Sequence, residues 1–149
     1  MRRLLALDPG QTTGWSLWEY DESTPLRHVS HGMQAGGLEG LIAWWRRCEV
    51  RCEWDEVVCE SFVLDGRTLY PDVTPLRIEG ALTALWPEGV TFQRNNMKAH
   101  ATDAKLKELG LWWPGAGHDR DSARHALAYM KTAVRHIPTI KWAYPPARA

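Results

Sequence analysis

A chain of 149 residues fits one domain, large enough to bury a core without disulfide support. Its formal net charge of zero argues against nucleic-acid binding by bulk charge. No stretch approaches transmembrane length, and the apolar run behind Met1-Arg2-Arg3 is too short for a signal-peptide core, so no membrane association is expected and a cytoplasmic setting is.

Leu4-Leu5-Ala6-Leu7 is short, wholly apolar and closed by Asp8-Pro9-Gly10, which predicts a strand over 3–8 buried on both faces. A carboxylate at the tip of such a strand is costly unless a cation, a donor or water meets it, so Asp8 is a candidate ligand. An ordinary Asp-Pro-Gly turn is the alternative. Residues 13–20 alternate loosely and are rich in aromatics, predicting a second strand paired as a hairpin with the first. A third strand over 26–33 completes a meander, and Gly36-Gly37 breaks the chain. Leu38, Leu41, Ile42, Trp45 and Cys48 recur at helical spacing, predicting an amphipathic helix over 37–50 with Arg46 and Arg47 outside.

Glu56-Val57-Val58-Cys59-Glu60 repeats the pattern of an apolar run ending in an acid. With a helix between them, the two runs can be parallel neighbours, placing Asp8 and Glu60 at the same sheet end, where open parallel sheets hold their ligands. Further on, the pattern predicts a helix over 73–85, a last strand over 90–93, and a helical stretch from about Met97 through Leu109. A glycine-rich connector follows, then a final helix from His118–Asp121 to about Val134. From Pro138 the chain has no periodicity and reads as a loosely held tail.

Nine tryptophans are unusual, and the doublets Trp44-Trp45 and Trp112-Trp113 read as exposed, as at an interface or ligand surface. Charge is uneven: residues 1–90 carry 8 Lys/Arg against 14 Asp/Glu, and residues 91–149 carry 10 against 4, a basic end able to track a phosphate backbone. An odd count of cysteines, Cys48, Cys52 and Cys59, fits a reducing compartment. A zinc site from Cys48-x-x-x-Cys52 and His28-x-x-His31 is a weak alternative to buried thiols.

His118 and Asp121, three apart at the start of the last helix, share a face, whereas Asp119 does not. A first-turn carboxylate is also an ordinary response to the helix dipole. Acids at the ends of three separate elements are harder to attribute to local causes.

Leu5-Ala6-Leu7-Asp8-Pro9-Gly10 with Thr13-Gly14, Val57-Val58-Cys59-Glu60, and His118-x-x-Asp121-Ser122-Ala123 together resemble the RuvC-like Holliday junction resolvases of the RNase H-like superfamily, particularly short phage-encoded members. The resemblance covers nearly the whole chain in the right order. It implies an α/β fold: a five-stranded mixed sheet, its first three strands antiparallel, flanked by helices, with a nuclease domain over 1–137 and a tail over 138–149. It implies that Asp8, Glu60 and Asp121 are catalytic metal ligands, with His118 at the fourth position and Asp119 as a stand-in. By spacing, His125, four residues after Asp121, shares its face and is an alternative ligand. Lys98 resembles a basic residue near the scissile phosphate, and Phe62 lies one residue off an aromatic that stacks on junction bases. Arg124 reads as a phosphate contact.

The activity implied is Mg²⁺-dependent hydrolysis of DNA phosphodiesters, with Mn²⁺ substituting, through two ions. His118 could bind the second ion or act as general acid or base. The implied substrate is branched DNA, and symmetric nicking of a four-way junction calls for a homodimer. Either the Trp44-Trp45 helix or the helix over 73–85 could supply the contact. Rival readings are an RNase H-like nuclease acting on flaps, forks or RNA, and a non-catalytic binder of branched DNA. A sugar-kinase or actin-like ATPase is a distant fourth, since such folds need two lobes.

Overall fold

In the computed structural model, which describes residues 1–49 and 54–148, strand β1 (Arg2–Asp8) lies at the centre of a five-stranded sheet of order β3-β2-β1-β4-β5. The other strands are β2 (Thr12–Tyr20), β3 (Arg27–Ala35), β4 (Glu56–Ser61) and β5 (Val90–Arg94). β1 pairs antiparallel with β2, and β2 with β3. β1 pairs parallel with β4, and β4 with β5. This is the mixed sheet anticipated from the order of hairpin, meander and crossover.

Helices cover both faces because β1 is apolar at every central position, so neither face tolerates water. Leu4 and Ala6 point to the side packed by helix α4 (His118–Thr132), against Ala123, Ala126, Leu127 and Met130. Leu5 and Leu7 point to the opposite side, against Leu41, Trp44 and Trp45 of α1 (Gly37–Glu49) and Ile78 and Leu82 of α2 (Thr74–Leu85). Side-chain alternation along one strand thus feeds two separate cores.

The Trp44-Trp45 doublet is not exposed. Both rings are buried in an aromatic cluster with Trp54 and Trp86, in which Trp44 and Trp54 lie parallel and Trp45 meets Trp54 edge-on at 4.8 Å. Trp113 is buried as well, and Trp112 stays partly exposed beneath Arg120 and Lys107. Rings of this size fill the space between the α1–α2 layer and the sheet, so most of the tryptophan excess is core packing.

Two expectations change in the last third. The helical stretch from Met97 through Leu109 is interrupted: a 3₁₀ segment spans Asn95–His100, and α3 (Asp103–Glu108) starts afresh where Thr102 accepts from the Lys105 amide. The tail is held down for half its length. α5 (Ile137–Ala143) is capped by His136, and its buried Thr139 hydroxyl accepts from the Leu26 amide at 2.9 Å. Ala143 lies in the core, and the Tyr144 hydroxyl donates to the His100 carbonyl.

The zinc alternative fails on topology. His28 and His31 contact Trp113 on the α4 side of the sheet, whereas Cys48 packs into the α1–α2 core on the other side. Cys52 lies outside the described residues.

Candidate active site

β1 and β4 run parallel in the register Leu7↔Cys59, so their next residues, Asp8 and Glu60, leave the sheet side by side. The third element arrives from above. Asp8 pairs with Gly14 across the hairpin, and the first turn of α4 rests on that glycine. A Cβ on Gly14 would lie 1.9 Å from the His118 carbonyl oxygen and 2.5 Å from the Asp119 amide nitrogen, so only glycine permits this approach. Gly117 enters the helix at φ 95°, a left-handed conformation that again favours glycine.

Buried hydrogen bonds hold α4 there. The Trp18 indole donates to Ser16 Oγ, Ser122 Oγ meets Ser16 Oγ at 2.8 Å, and Ser122 Oγ also donates to the Asp119 carbonyl. Asp119 itself is buried and accepts from His31 Nδ1 at 2.9 Å and from the Arg120 amide. His31 stacks on Trp113 with centroids 3.9 Å apart. Asp119 is therefore committed to clamping the helix start onto β3 and is no stand-in for the fourth site residue.

With α4 so placed, His118 Nδ1 lies 3.7 Å from Asp8 Oδ2. Lys98, from the 3₁₀ segment, reaches in with Nζ 3.3 Å from Glu60 Oε1 and 3.5 Å from Asp121 Oδ2. The structure thus gathers Asp8, Glu60, His118, Asp121 and Lys98 into one cluster.

Arg124 stands beside this cluster in a different role from the one the sequence suggested. Its side chain is 12% exposed, and the guanidinium donates to Asp121 Oδ1 at 3.1 Å, to the Ala101 carbonyl at 2.6 Å and to Asp103. Three internal acceptors make it a brace between α4 and the segment carrying Lys98, rather than a residue presented to a phosphate.

His125 is wholly buried and sits behind Glu60. In the orientation that satisfies both ends of the Gln93 amide, its NH₂ donates to His125 Nδ1 at 2.9 Å and its carbonyl accepts from the Tyr129 amide at 3.2 Å. That assigns the imidazole proton to Nε2, which among the described residues has no hydrogen-bond partner and lies 3.8 Å from Glu60 Oε2. His125 is then a donor poised behind Glu60, not a metal ligand. Sequence spacing put His125 near Asp121, but the role of Gln93 needed the β4–β5 register, which sets Glu60 opposite Gln93.

The electrostatics of the two central acids diverge. Burial, then the hydrogen bond and charge of Glu60, then the charge of Asp121 push the Asp8 carboxyl well above the ordinary carboxylate range, against the pull of Lys98. Burial acts on Glu60 in the same direction, but His125, Asp8 and Lys98 outweigh it and pull Glu60 down. Two acids this close hold one proton between them unless a cation intervenes. Lys98 loses by burial but gains more from Glu60, Asp8 and Asp121, so its ammonium is favoured.

Three carboxylates are the hard oxygen donors that Mg²⁺ or Mn²⁺ takes, and the His118 imidazole beside them is a borderline one. The orphaned Nε2 behind Glu60 matches the outer-shell donor that orients a ligating carboxylate. The residues therefore fit a divalent metal. Among the described residues no three His, Cys, Asp or Glu side chains already converge as a metal-holding group, and Lys98 stands between two of the acids.

Beside the cluster opens a cleft of about 600 Å³, lined among others by Glu60, Phe62, Arg94, Asn95, Asn96 and Lys98. Phe62 is among the residues lining it and is half-buried. Arg94, Asn95 and Asn96 did not stand out in the sequence, where they fall between the strand over 90–93 and the helical stretch from Met97.

No protein-family model and no curated protein sequence matches the chain. Solved structures do. Thermus thermophilus RuvC in complex with a Holliday junction substrate aligns with a TM-score of 0.68 at 18% identity, over 91% of this chain and 96% of that one. The chain has the RuvC fold. A second structure of Thermus thermophilus RuvC gives a TM-score of 0.66 over 89% of this chain and 96% of that one, also at 18% identity. The fowlpox virus resolvase in complex with substrate Holliday junction DNA aligns with a TM-score of 0.59 at 13% identity, over 87% of this chain and 99% of that one. The RuvC fold thus accounts for nearly the full length, including the mixed sheet that brings Asp8 and Glu60 together.

Proposed function

We propose that the chain is a metal-dependent, structure-selective endonuclease that resolves four-way DNA junctions by symmetric nicking. The observation that carries this reading is that three elements bring Asp8, Glu60, His118 and Asp121 to one end of a RuvC-type sheet, where Lys98 and His118 link them by contacts of 3.3–3.7 Å, beside an open cleft. The likeness to two resolvase structures holding junction DNA supports the choice of substrate.

Asp8, Glu60, His118 and Asp121 would hold the divalent ions, Mg²⁺ in the first instance and Mn²⁺ as a substitute. Bound metal supplies a Lewis acid for the phosphodiester and lowers the pKa of attacking water. Asp8 neighbours both Glu60 and His118 and would be the ligand shared between the ions. His125 orients Glu60 from behind, and the His31–Asp119 clamp fixes the helix turn carrying His118. The cleft would take the strand: Lys98, Arg94, Asn95 and Asn96 face its phosphates, and Phe62 offers an apolar face to an unstacked base.

Symmetric cutting needs a second copy. With Trp44 and Trp45 buried, α2 is the better surface: Val73, Leu76, Gly80 and Ala84 form an exposed row of small and apolar residues along it. The nuclease domain extends through α5 rather than ending at 137. Among the described residues no helix is long and apolar enough to cross a membrane.

The reading is tested with purified wild-type protein and Asp8→Asn on a labelled four-way junction. Cleavage is expected with Mg²⁺ or Mn²⁺ but not Ca²⁺, and Asp8→Asn is expected to bind the junction and leave it uncut. Binding without cleavage by the wild type under all three ions would favour a non-catalytic junction binder instead.

A further inference from the structure

The acid cluster already contains a cation of its own. Lys98 Nζ is within 3.5 Å of both Glu60, on β4, and Asp121, on α4, and its side chain is largely withdrawn from solvent. A lysine in an open cleft would gain more by extending to water, since an exposed ion pair is worth little and the long side chain loses rotamer entropy. Lys98 is held inward by its surroundings. The Ala101 amide donates to the Lys98 carbonyl, and Arg124 ties the Ala101 carbonyl and Asp103 to α4. That brace also fixes Asp121, so the ammonium and one of its two acceptors are set by a single residue.

The other acceptor is fixed independently. Glu60 has the buried Nε2 of His125 behind it, 3.8 Å from Oε2 and without a hydrogen-bond partner among the described residues, while Lys98 engages Oε1. Both carboxylates therefore engage the ammonium, and among the described residues no three His, Cys, Asp or Glu donors meet at one point. Closing Glu60 and Asp121 onto a shared ion would put two positive centres within a few ångströms of each other, a strong repulsion in a partly desolvated site.

We propose that Lys98 is a resident counter-ion of the active site, occupying the space between Glu60 and Asp121 that a divalent cation must take, so that metal loads only as the ammonium withdraws. The inference rests on the metal-dependent reading above. It predicts that the wild-type protein takes up metal more weakly than its donor set alone would allow. Lys98 also lines the cleft, so the withdrawn ammonium moves toward the side on which a strand would lie.

The test is Mn²⁺ binding to the full chain without DNA, read from loss of the free-ion paramagnetic resonance signal. Lys98→Met should bind Mn²⁺ about tenfold tighter or more than wild type, and Lys98→Arg, which keeps the charge, should stay within about threefold. The gain should vanish in Asp8→Asn/Lys98→Met. Lys98→Gln serves the same purpose as Lys98→Met if the methionine variant fails to fold by circular dichroism. Equal or weaker binding by Lys98→Met and Lys98→Gln, with Asp8→Asn still weakening the wild type, overturns the counter-ion role and leaves the metal site standing. Absence of Asp8-dependent Mn²⁺ binding in every variant overturns both.

Discussion

Gly14 and His118 touch through their backbones: a Cβ on Gly14 would stand 1.9 Å from the His118 carbonyl oxygen. The glycine therefore sets the height of the first turn of α4 above the Asp8 end of β1. Gly14→Ala must push the helix start away or twist β2. The expected cost is about 1–3 kcal/mol of stability, typical of overpacking. Cleavage should fall by about 100-fold, because misplacing site groups by an ångström costs that much. Rates measured where the variant is shown to be folded check this, and near-wild-type turnover would contradict the stated role.

Asp8 should make the metal-free protein less stable at neutral pH. Its folded-state pKa is raised above the unfolded value, so between the two the folded chain binds more protons than the unfolded one. The stability tied to the neutral carboxyl is complete below about pH 4, where the unfolded group is also protonated, and is lost as pH rises toward the raised value. Asp8→Asn removes that loss and keeps a donor for Glu60. In EDTA at pH 7 it should gain about 1–3 kcal/mol, or roughly 3–10 °C in Tm, with a smaller gain at pH 4. Mg²⁺ should then stabilise the wild type and not the variant. A variant with unchanged Tm at pH 7 would contradict the buried, protonated Asp8.

Arg124 separates a brace from a phosphate contact. A phosphate-binding arginine, once removed, lowers the salt slope of DNA binding by about one. Arg124→Met should leave that slope unchanged, lower Tm by several degrees, and reduce cleavage, because Asp121 and the Lys98 segment lose their common anchor. Arg94→Gln, at the cleft rim, should show the opposite pattern: a slope reduced by about one with Tm nearly unchanged. Salt titrations of junction binding in EDTA, with melting curves, distinguish the two.

The strands and the two acids at their ends were legible in the sequence because the signals are local: a short apolar run, an acid, a turn. Their meeting followed from the order of elements alone. What escaped depends on contacts between distant segments. Trp44-Trp45 looked exposed as a doublet, yet Trp54 and Trp86 come from later segments to enclose it. Arg124 lies on the polar side of its helix by spacing, but Ala101 and Asp103 return to meet it. α5 carries too little periodicity to register, and its anchor is a hydroxyl bonded to Leu26, 113 residues earlier. His31, read only as a weak zinc alternative, finds Asp119 from another strand of the fold.

The central claim is tested most directly by mapping cuts on four-way junction, flap, fork and linear duplex substrates incubated with wild-type protein and Mg²⁺. Paired nicks at symmetric positions in opposing strands of the junction, with the other substrates left largely intact, are the predicted result. Preferential cutting of flaps or forks, or unpaired cuts in the junction, would contradict the assignment as a junction resolvase.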